Sequence, residues 1–360
     1  MAASLTPDPV TTITTEDYHT GGEPFRIVTG GVPEPEGSTV AERRLWAVEH
    51  LQDVRRLLVN EPRGHADMYG CIVTPPDDDG ADLGCLFFHN DGFSTACGHG
   101  TIALATWAVE TGRVRATAGE GEVRMVIDVP SGRLPVRIPL DDDGRPAGVV
   151  FRNVPSFVAG AQIIEHGGQH LAVTVAFGGA FYGIVDAGLA GLRVVPEELG
   201  AIIALARDLK AELNRTPWVH PEDPRLSGIY GIIVVDEPDP DDPPLEEVRV
   251  RLGDPAEAVV VQRNVTVFAD GEVDRSPTGS GTSARLAALH ELDDLPAGAV
   301  LVNRSIVGSV MLGVVEDDEP VMVGPHRGYS TLVAGQAFRT GSHTFTLDPR
   351  DPFATGFLLR

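Results

Sequence analysis

The chain carries one short element twice. Phe93-Ser94-Thr95-Ala96-Cys97-Gly98-His99-Gly100-Thr101 is matched, about half a chain later, by Asp274-Arg275-Ser276-Pro277-Thr278-Gly279-Ser280-Gly281-Thr282. Cys97 and Thr278 hold the same place, each followed by Gly-x-Gly-Thr and an alanine-containing run. A duplication at that offset constrains the fold to two similar α/β halves, each starting a helix at its copy. It also constrains the chemistry. Two facing thiols could move a proton on and off one carbon from opposite sides. A thiol facing a threonine cannot, because threonine is essentially non-ionising near neutral pH.

Each copy places its side chain just before a helix start. Glycines there admit close backbone approach, and the free N–H groups of a first turn bind anions with help from the helix dipole. Two such starts facing one another would clamp a small carboxylate, which makes Gly98, His99, Gly279 and Ser280 candidate donors. The same field lowers a thiol pKa, so Cys97 reads as a general base with a depressed pKa. His99 follows it and would polarise a ligand or tune the thiol. Asp274 stands at the entrance of the second copy, where a carboxylate could hold an ammonium. Cys71 and Cys85 lie in strand-like segments and read as core residues.

Composition narrows the class. The 360 residues are 42% hydrophobic and 22% charged, which suits a folded protein of two domains. The formal net charge of −24 disfavours nucleic-acid binding, which needs basic surface. Lys210 is the single lysine. Three cysteines without a Cys-x-x-Cys pair argue against a disulfide framework or a zinc clamp, and for reduced thiols. No apolar stretch approaches the roughly 20 residues that span a bilayer. Met1-Ala2-Ala3-Ser4-Leu5-Thr6-Pro7 lacks the basic and apolar regions of a signal peptide. The expectation is a cytoplasmic enzyme. Nucleophile-elbow, zinc-protease, phosphate-loop and dinucleotide fingerprints are missing, so neither a metal nor a cofactor is expected.

With 41 glycines and 28 prolines between short β-branched runs, the chain reads as sheet-rich. Residues 172–175, 231–235, 258–261, 265–268 and 306–311 read as separate strands. Thr39-Val40-Ala41-Glu42 is a capping-box pattern before an apolar run toward Leu58. Pro196-Glu197-Glu198 opens a second helix. The other two start at the doubled motif, Gly98 to about Glu110 and Gly279 to about Leu289. Asp77–Asp79, Asp141–Asp143 and residues 236–242 read as solvated loops.

At this point the chain resembles the proline racemase family. The likeness is carried by Asp17-Tyr18-His19-Thr20-Gly21-Gly22-Glu23-Pro24, by Glu61-Pro62-Arg63-Gly64-His65-Ala66-Asp67-Met68-Tyr69-Gly70 and by Cys97-Gly98-His99-Gly100. It continues through Phe177-Gly178-Gly179-Ala180-Phe181-Tyr182 and Asp274-Arg275-Ser276-Pro277. The resemblance implies an α+β fold of two pseudo-symmetric halves similar to diaminopimelate epimerase. Each half is a sheet wrapped around a central helix, with the site at the interface. The expected division is 1–160, rejoined by strands at about 340–360, and 161–339. Racemases and 4-hydroxyproline epimerases of the family carry Cys at both motif positions, and threonine at the second matches its trans-3-hydroxy-L-proline dehydratases.

The resemblance therefore implies dehydration of trans-3-hydroxy-L-proline to Δ1-pyrroline-2-carboxylate, with Cys97 and Thr278 as the facing pair. The alternatives are a 4-hydroxyproline 2-epimerase or proline racemase, and a non-catalytic binder of cyclic amino acids. Gly98, His99, Gly279 and Ser280 match carboxylate contacts and Asp274 a further substrate contact. Tyr69 and Phe268 match pocket aromatics, and His220 is a further contact candidate. A homodimer is also implied.

Overall fold

A computed structural model describes residues 11–116, 120–243, 259–348 and 350–359. The N-terminal stretch considered for targeting, and Ala258 of one expected strand, lie outside the described residues. The fold is α+β. Five α-helices are present among the described residues: α1 (Val40–His50), α2 (Gln52–Val59), α3 (Gly98–Glu110), α4 (Leu199–Leu213) and α5 (Gly279–Glu291). The rest is strand and turn. No helix among the described residues is long and apolar enough to cross a membrane.

The duplication read from the motif extends through the topology. In the first half, strand Glu23–Gly30 leads through α1 and α2 to a parallel strand, Tyr69–Thr74, and then to antiparallel Leu83–His89. α3 follows. Strand Glu122–Val129 then lies parallel to Leu83–His89, with Gly132–Pro139 antiparallel beside it. In the second half, Phe181–Asp186 leads through α4 to parallel Ile229–Asp236 and antiparallel Val259–Phe268. α5 follows, then parallel Val300–Ser305 and antiparallel Val310–Val315. The C-terminal strand Ala337–Leu347 runs back to pair with Thr11–Thr20.

Both motif helices are cores rather than surface helices. Every residue of α3 from Gly98 to Ala108 is buried, and so is α5 from Gly279 to Leu289 except Arg285. A helix apolar or small on all sides is stable only when enclosed. Alanine, glycine, serine and threonine let the curved sheets close around each.

The first hairpin turns at Gly21 and Gly22, with φ of +58° and +89°. Two successive positive-φ residues are what a two-residue type I′ loop demands. The hairpin is then pinned from inside. Arg26, buried, donates from Nε to both Asp17 carboxylate oxygens at 3.1 Å and from Nη2 at 2.8 Å. Its Nη1 reaches the carbonyls of Leu58, at the end of α2, and Arg63. Its guanidinium lies 4.4 Å from the ring centroid of Phe345 on the C-terminal strand. One side chain thus ties three strands to a helix end.

Five local expectations are corrected. The run toward Leu58 is broken at Leu51, whose ψ of 18° ends α1 before α2 begins. Thr39 accepts from the Glu42 amide as the capping pattern requires, but the Glu42 carboxylate turns to Ser38 rather than to Thr39. Residues 259–268 form one strand, not two, because polar Gln262 and Asn264 are buried and hydrogen-bonded inside the half. Residues 306–309 are a hairpin turn, closed by the Ser305–Ser309 contacts. Asp242 is not a solvated loop residue: its side chain is 6% exposed and pairs with Arg263 at 2.6 Å.

Replacing Arg26 with Met leaves Asp17 buried without its counter-charge. Urea unfolding should show a loss of about 3–5 kcal/mol, the usual cost of breaking a buried pair from one side. A loss under 1 kcal/mol would mean the hairpin does not depend on this residue.

Candidate active site

The two motif helices meet end to end across the halves. A Cβ built on Gly98 would come within 2.4 Å of the Gly279 Cα, and one on Gly279 within 2.7 Å of the Gly98 Cα. Only glycine permits backbones this close. The contact brings two first turns together, each with amides that have no carbonyl partner within the helix. Gly98, His99, Gly279 and Ser280 are placed there by the fold.

Around this junction lies a tight cavity lined by Tyr69, Ala96, Cys97, Gly98, His99, Tyr182, Tyr230, Thr266, Phe268, Asp274, Thr278 and Ser280. Its volume is about 10 Å³, room for about one water molecule. Cys97 and Thr278 therefore face a common space, which in this conformation is too small for a five-membered ring.

The two equivalent positions differ in more than their side chains. Cys97 has extended backbone (φ −156°) and caps its own helix, accepting from the Gly100 amide at 3.2 Å. Thr278 has φ +63° and caps nothing. A β-branched residue at positive φ is a true outlier and costs about 1–3 kcal/mol. It is held by the Ser276 hydroxyl, which accepts from the Thr278 amide at 3.1 Å. The strain aims the Thr278 hydroxyl at Asp274, to which it donates at 2.8 Å.

Asp274 connects both copies. Its Oδ2 lies 3.3 Å from His99 Nδ1, and the other ring nitrogen, Nε2, lies 3.3 Å from Cys97 Sγ. Its Oδ1 accepts from the Ser276 amide at 2.8 Å. A Cys–His–Asp chain thus runs across the halves with the threonine on its far end. Burial opposes ionisation of Asp274, but His99 and the hydrogen bonds from His99, Ser276 and Thr278 outweigh it, so its pKa falls below the ordinary carboxylate range.

The thiol departs from the reading made on the helix field alone. Burial, followed by the charge of Asp274, pushes Cys97 well above an ordinary thiol, and the Gly100 amide only partly offsets this. The thiol is therefore less acidic than a free one, with the His99 ring beside it. Once deprotonated, such a group is a stronger base than a depressed thiolate.

Tyr69 and Phe268 line the cavity as expected, with ring centroids 5.7 Å apart. His220 does not line it. Its ring packs against Phe157, Phe177 and Phe181 in the second-half core, and its Nδ1 accepts from the Glu222 and Asp223 amides. Among the described residues no group of three or more His, Cys, Asp or Glu is arranged to hold a metal ion.

Several site residues were missed by sequence reasoning. Glu23, fully buried, accepts from the Arg275 amide at 2.8 Å, and burial followed by Asp274 raises its pKa well above the usual value. Asp67 pairs with Arg275 at 3.0 Å and accepts from the Val273 amide. These two carboxyl groups of the first half hold the strand that carries Asp274. Tyr182 donates to or accepts from Ser280 at 2.7 Å. Glu23, Asp67 and Tyr182 all sit inside the family-like blocks, which was their only signal. Tyr230 and Thr266 had none.

Comparison with known proteins follows the same lines. The family model described as proline racemase matches residues 16–358. A trans-3-hydroxy-L-proline dehydratase from Bacillus thuringiensis subsp. konkukian is 43% identical, over 96% of this chain and 98% of that protein. A 3-hydroxyproline 2-epimerase from Burkholderia multivorans is 42% identical, over 97% and 98%. Among solved structures, a hydroxyproline epimerase from Agrobacterium vitis with bound trans-4-hydroxy-L-proline superposes with a TM-score of 0.84 at 29% identity, covering 97% of this chain and 96% of that one.

The raised thiol pKa has a direct readout. In the ligand-free protein, Cys97 should be alkylated by iodoacetamide more slowly than a free thiol of pKa about 8.5, with the rate still climbing above that pH. Mass spectrometry of the Cys97 peptide measures it. A rate already at its plateau by pH 7 would show that the resting group is a thiolate.

Proposed function

This chain belongs to the proline racemase family, and we propose that it dehydrates trans-3-hydroxy-L-proline to Δ1-pyrroline-2-carboxylate. The observation that carries the reading is the asymmetry of the closed cavity. One face offers Cys97 with an imidazole beside it; the other offers a hydroxyl committed to Asp274. The dehydratase and epimerase names among the relatives support a hydroxyproline substrate, and the threonine separates them in favour of dehydration.

The C2 proton of an amino acid is a very weak acid, so its removal needs a placed base and stabilised charge at the carboxylate. The first-turn amides of α3 and α5 receive the carboxylate. Asp274 serves the ring ammonium while keeping His99 oriented. His99 Nε2 takes the Cys97 proton, and the imidazolium is held by Asp274. The thiolate then removes the C2 proton. As C2–H breaks, a C2–C3 double bond forms and the C3–O bond gives up its electron pair to the leaving hydroxyl. In the trans isomer that hydroxyl lies on the same ring face as the C2 hydrogen. The new thiol can therefore return its proton to it, releasing water in a syn elimination. The enamine product, Δ2-pyrroline-2-carboxylate, tautomerises to the Δ1 imine.

Thr278 cannot deliver a proton to the opposite face, so C2 is not inverted and the carbanion is left to expel its neighbour. A 3- or 4-hydroxyproline epimerase is the second reading. It requires an acid on the Thr278 side, where Asp274, its pKa lowered, is a poor proton donor. The assembly that goes with this reading is a homodimer acting in the cytoplasm. The halves comprise residues 1–160, with the C-terminal strand added, and residues 161–339. The pairing of Thr11–Thr20 with Ala337–Leu347 supports that division.

Incubation with trans-3-hydroxy-L-proline and trapping of the cyclic imine with o-aminobenzaldehyde tests the reaction. Cys97→Ser should lower the rate at least about a thousandfold, in the range seen when a general base or nucleophile is removed. Near-normal dehydration by that variant would end the role given to the thiol. Thr278→Cys should gain exchange of the C2 hydrogen of L-proline in heavy water with inversion. Absence of any gain would count against the facing-pair arrangement.

A further inference from the structure

The catalytic cavity has room for about one water molecule, and a larger cleft adjoins it. It has a volume of about 270 Å³ and opens between the halves. Arg44, His89, Asp91 and Ser94 come from one side; Lys210, Arg225 and Tyr230 come from the other. Tyr230 lines both this cleft and the catalytic cavity. The partition between them is built of three hydroxyls. Tyr69 donates to Ser94 Oγ, and Tyr69 and Tyr230 share a hydrogen bond of 2.8 Å that crosses from one half to the other.

The charge of the cleft is opposite to that of the molecule. The chain has a net charge of −24 and one lysine, and that lysine lines this cleft with two arginines. Arg225 is neutralised by Asp223 at 2.6 Å, and His89 faces Glu272 at 3.1 Å. Arg44 and Lys210 form no ion pair among the described residues. Arg44 donates to the carbonyls of Phe93 and Ser94, and Lys210 to that of Ala269. Both cations are half-buried, and Lys210 feels Asp91, Asp270 and Glu272 without a direct ion pair to any of them. Burial accordingly lowers the pKa of both. Asp91, exposed on the same lining, supplies a single carboxylate. The lining of this one cleft thus presents both signs.

We propose that this cleft is a docking port for zwitterionic amino acids: Arg44 and Lys210 hold the carboxylate, Asp91 faces the ammonium, and the ligand passes inward when the Tyr69–Tyr230 hydrogen bond parts. The inference rests on the reading that the inner cavity takes a cyclic amino acid. A port of this kind lies on the path and not at the destination. It therefore speeds arrival and departure alike, raising association by local concentration of the ligand, and leaves the affinity of the inner site unchanged.

That signature is the test. Stopped-flow mixing with L-proline, which lacks the 3-hydroxyl and cannot be dehydrated, gives association and dissociation rates from intrinsic fluorescence. Lys210→Gln should lower both rates about fivefold to tenfold while the dissociation constant stays within twofold. Lys210→Arg should keep both rates within twofold of wild type. Asp91→Asn, at an exposed position that cannot upset the fold, should lower both rates about twofold to threefold. Arg215→Gln, on the exposed face after α4, should change nothing. An unchanged association rate in Lys210→Gln and Asp91→Asn would overturn the port, as would a weakened dissociation constant with an unchanged association rate. Turnover of trans-3-hydroxy-L-proline by the wild type is read separately. If L-proline binds without such turnover, the dehydratase reading fails and the port is still judged from the rates. If L-proline does not bind at all, both fall.

Discussion

The contact of Gly98 with Gly279 is the constraint on which the rest of the molecule depends. It is backbone against backbone, and it fixes where the two halves stop approaching one another. Because each glycine is the first residue of a buried helix, the same contact decides that two sets of unpartnered amides converge on one point. Any side chain at either position would collide with the facing backbone and force the helices apart. The amides would then face different volumes of solvent, and the thiol would lose the carboxylate that organises its imidazole. The large sheets can be understood as the means of holding two helix ends in this position.

Closure also sets the chemistry. A thiol in an open helix N-terminus is acidified by the field around it. Here the same helix start is shut against its twin, and desolvation outweighs the field. The result favours a weak carbon acid. A base is useful in proportion to its affinity for the proton it must take, and in the reaction proposed above a thiol that resists ionisation would become a strong base once His99 had removed its proton. Asp274 makes this possible from the other half of the chain, so basicity exists only when the halves are together. The Thr278 hydroxyl, turned onto the same carboxylate by a strained backbone, helps lower the Asp274 pKa.

Much of this was legible in the residues. The doubled motif placed both central helices, at Gly98 and Gly279, because glycine, a capping side chain and an alanine run are local signals. The pairing of halves followed from the repeat itself. What was not legible depended on residues far apart in sequence. The hairpin turn at 306–309 resembled a strand because its apolar residues, Ile306 and Val307, lie inside a Ser305–Ser309 closure that only the fold supplies. Asp242 looked like one acid among many until Arg263 came beside it. His220 had the look of a ligand contact, yet its imidazole completes an aromatic cluster. Tyr230, in no recognisable block, gained its place by facing Tyr69 across the interface. The direction of the Cys97 shift was misjudged because burial is a property of both halves and was invisible in either motif alone.

The antiparallel pairing of Thr11–Thr20 with Ala337–Leu347 has a consequence for biosynthesis. The ribosome releases the opening strand several hundred residues before its partner, so the first sheet must wait with an unpaired edge while the second half is made. Such edges invite association with other chains. The acidic Thr-Thr-Glu-Asp stretch of the opening strand, with its buried arginine latch to Asp17, is suited to that interval: it keeps the waiting strand tied to its own hairpin until the last strand emerges and completes the sheet.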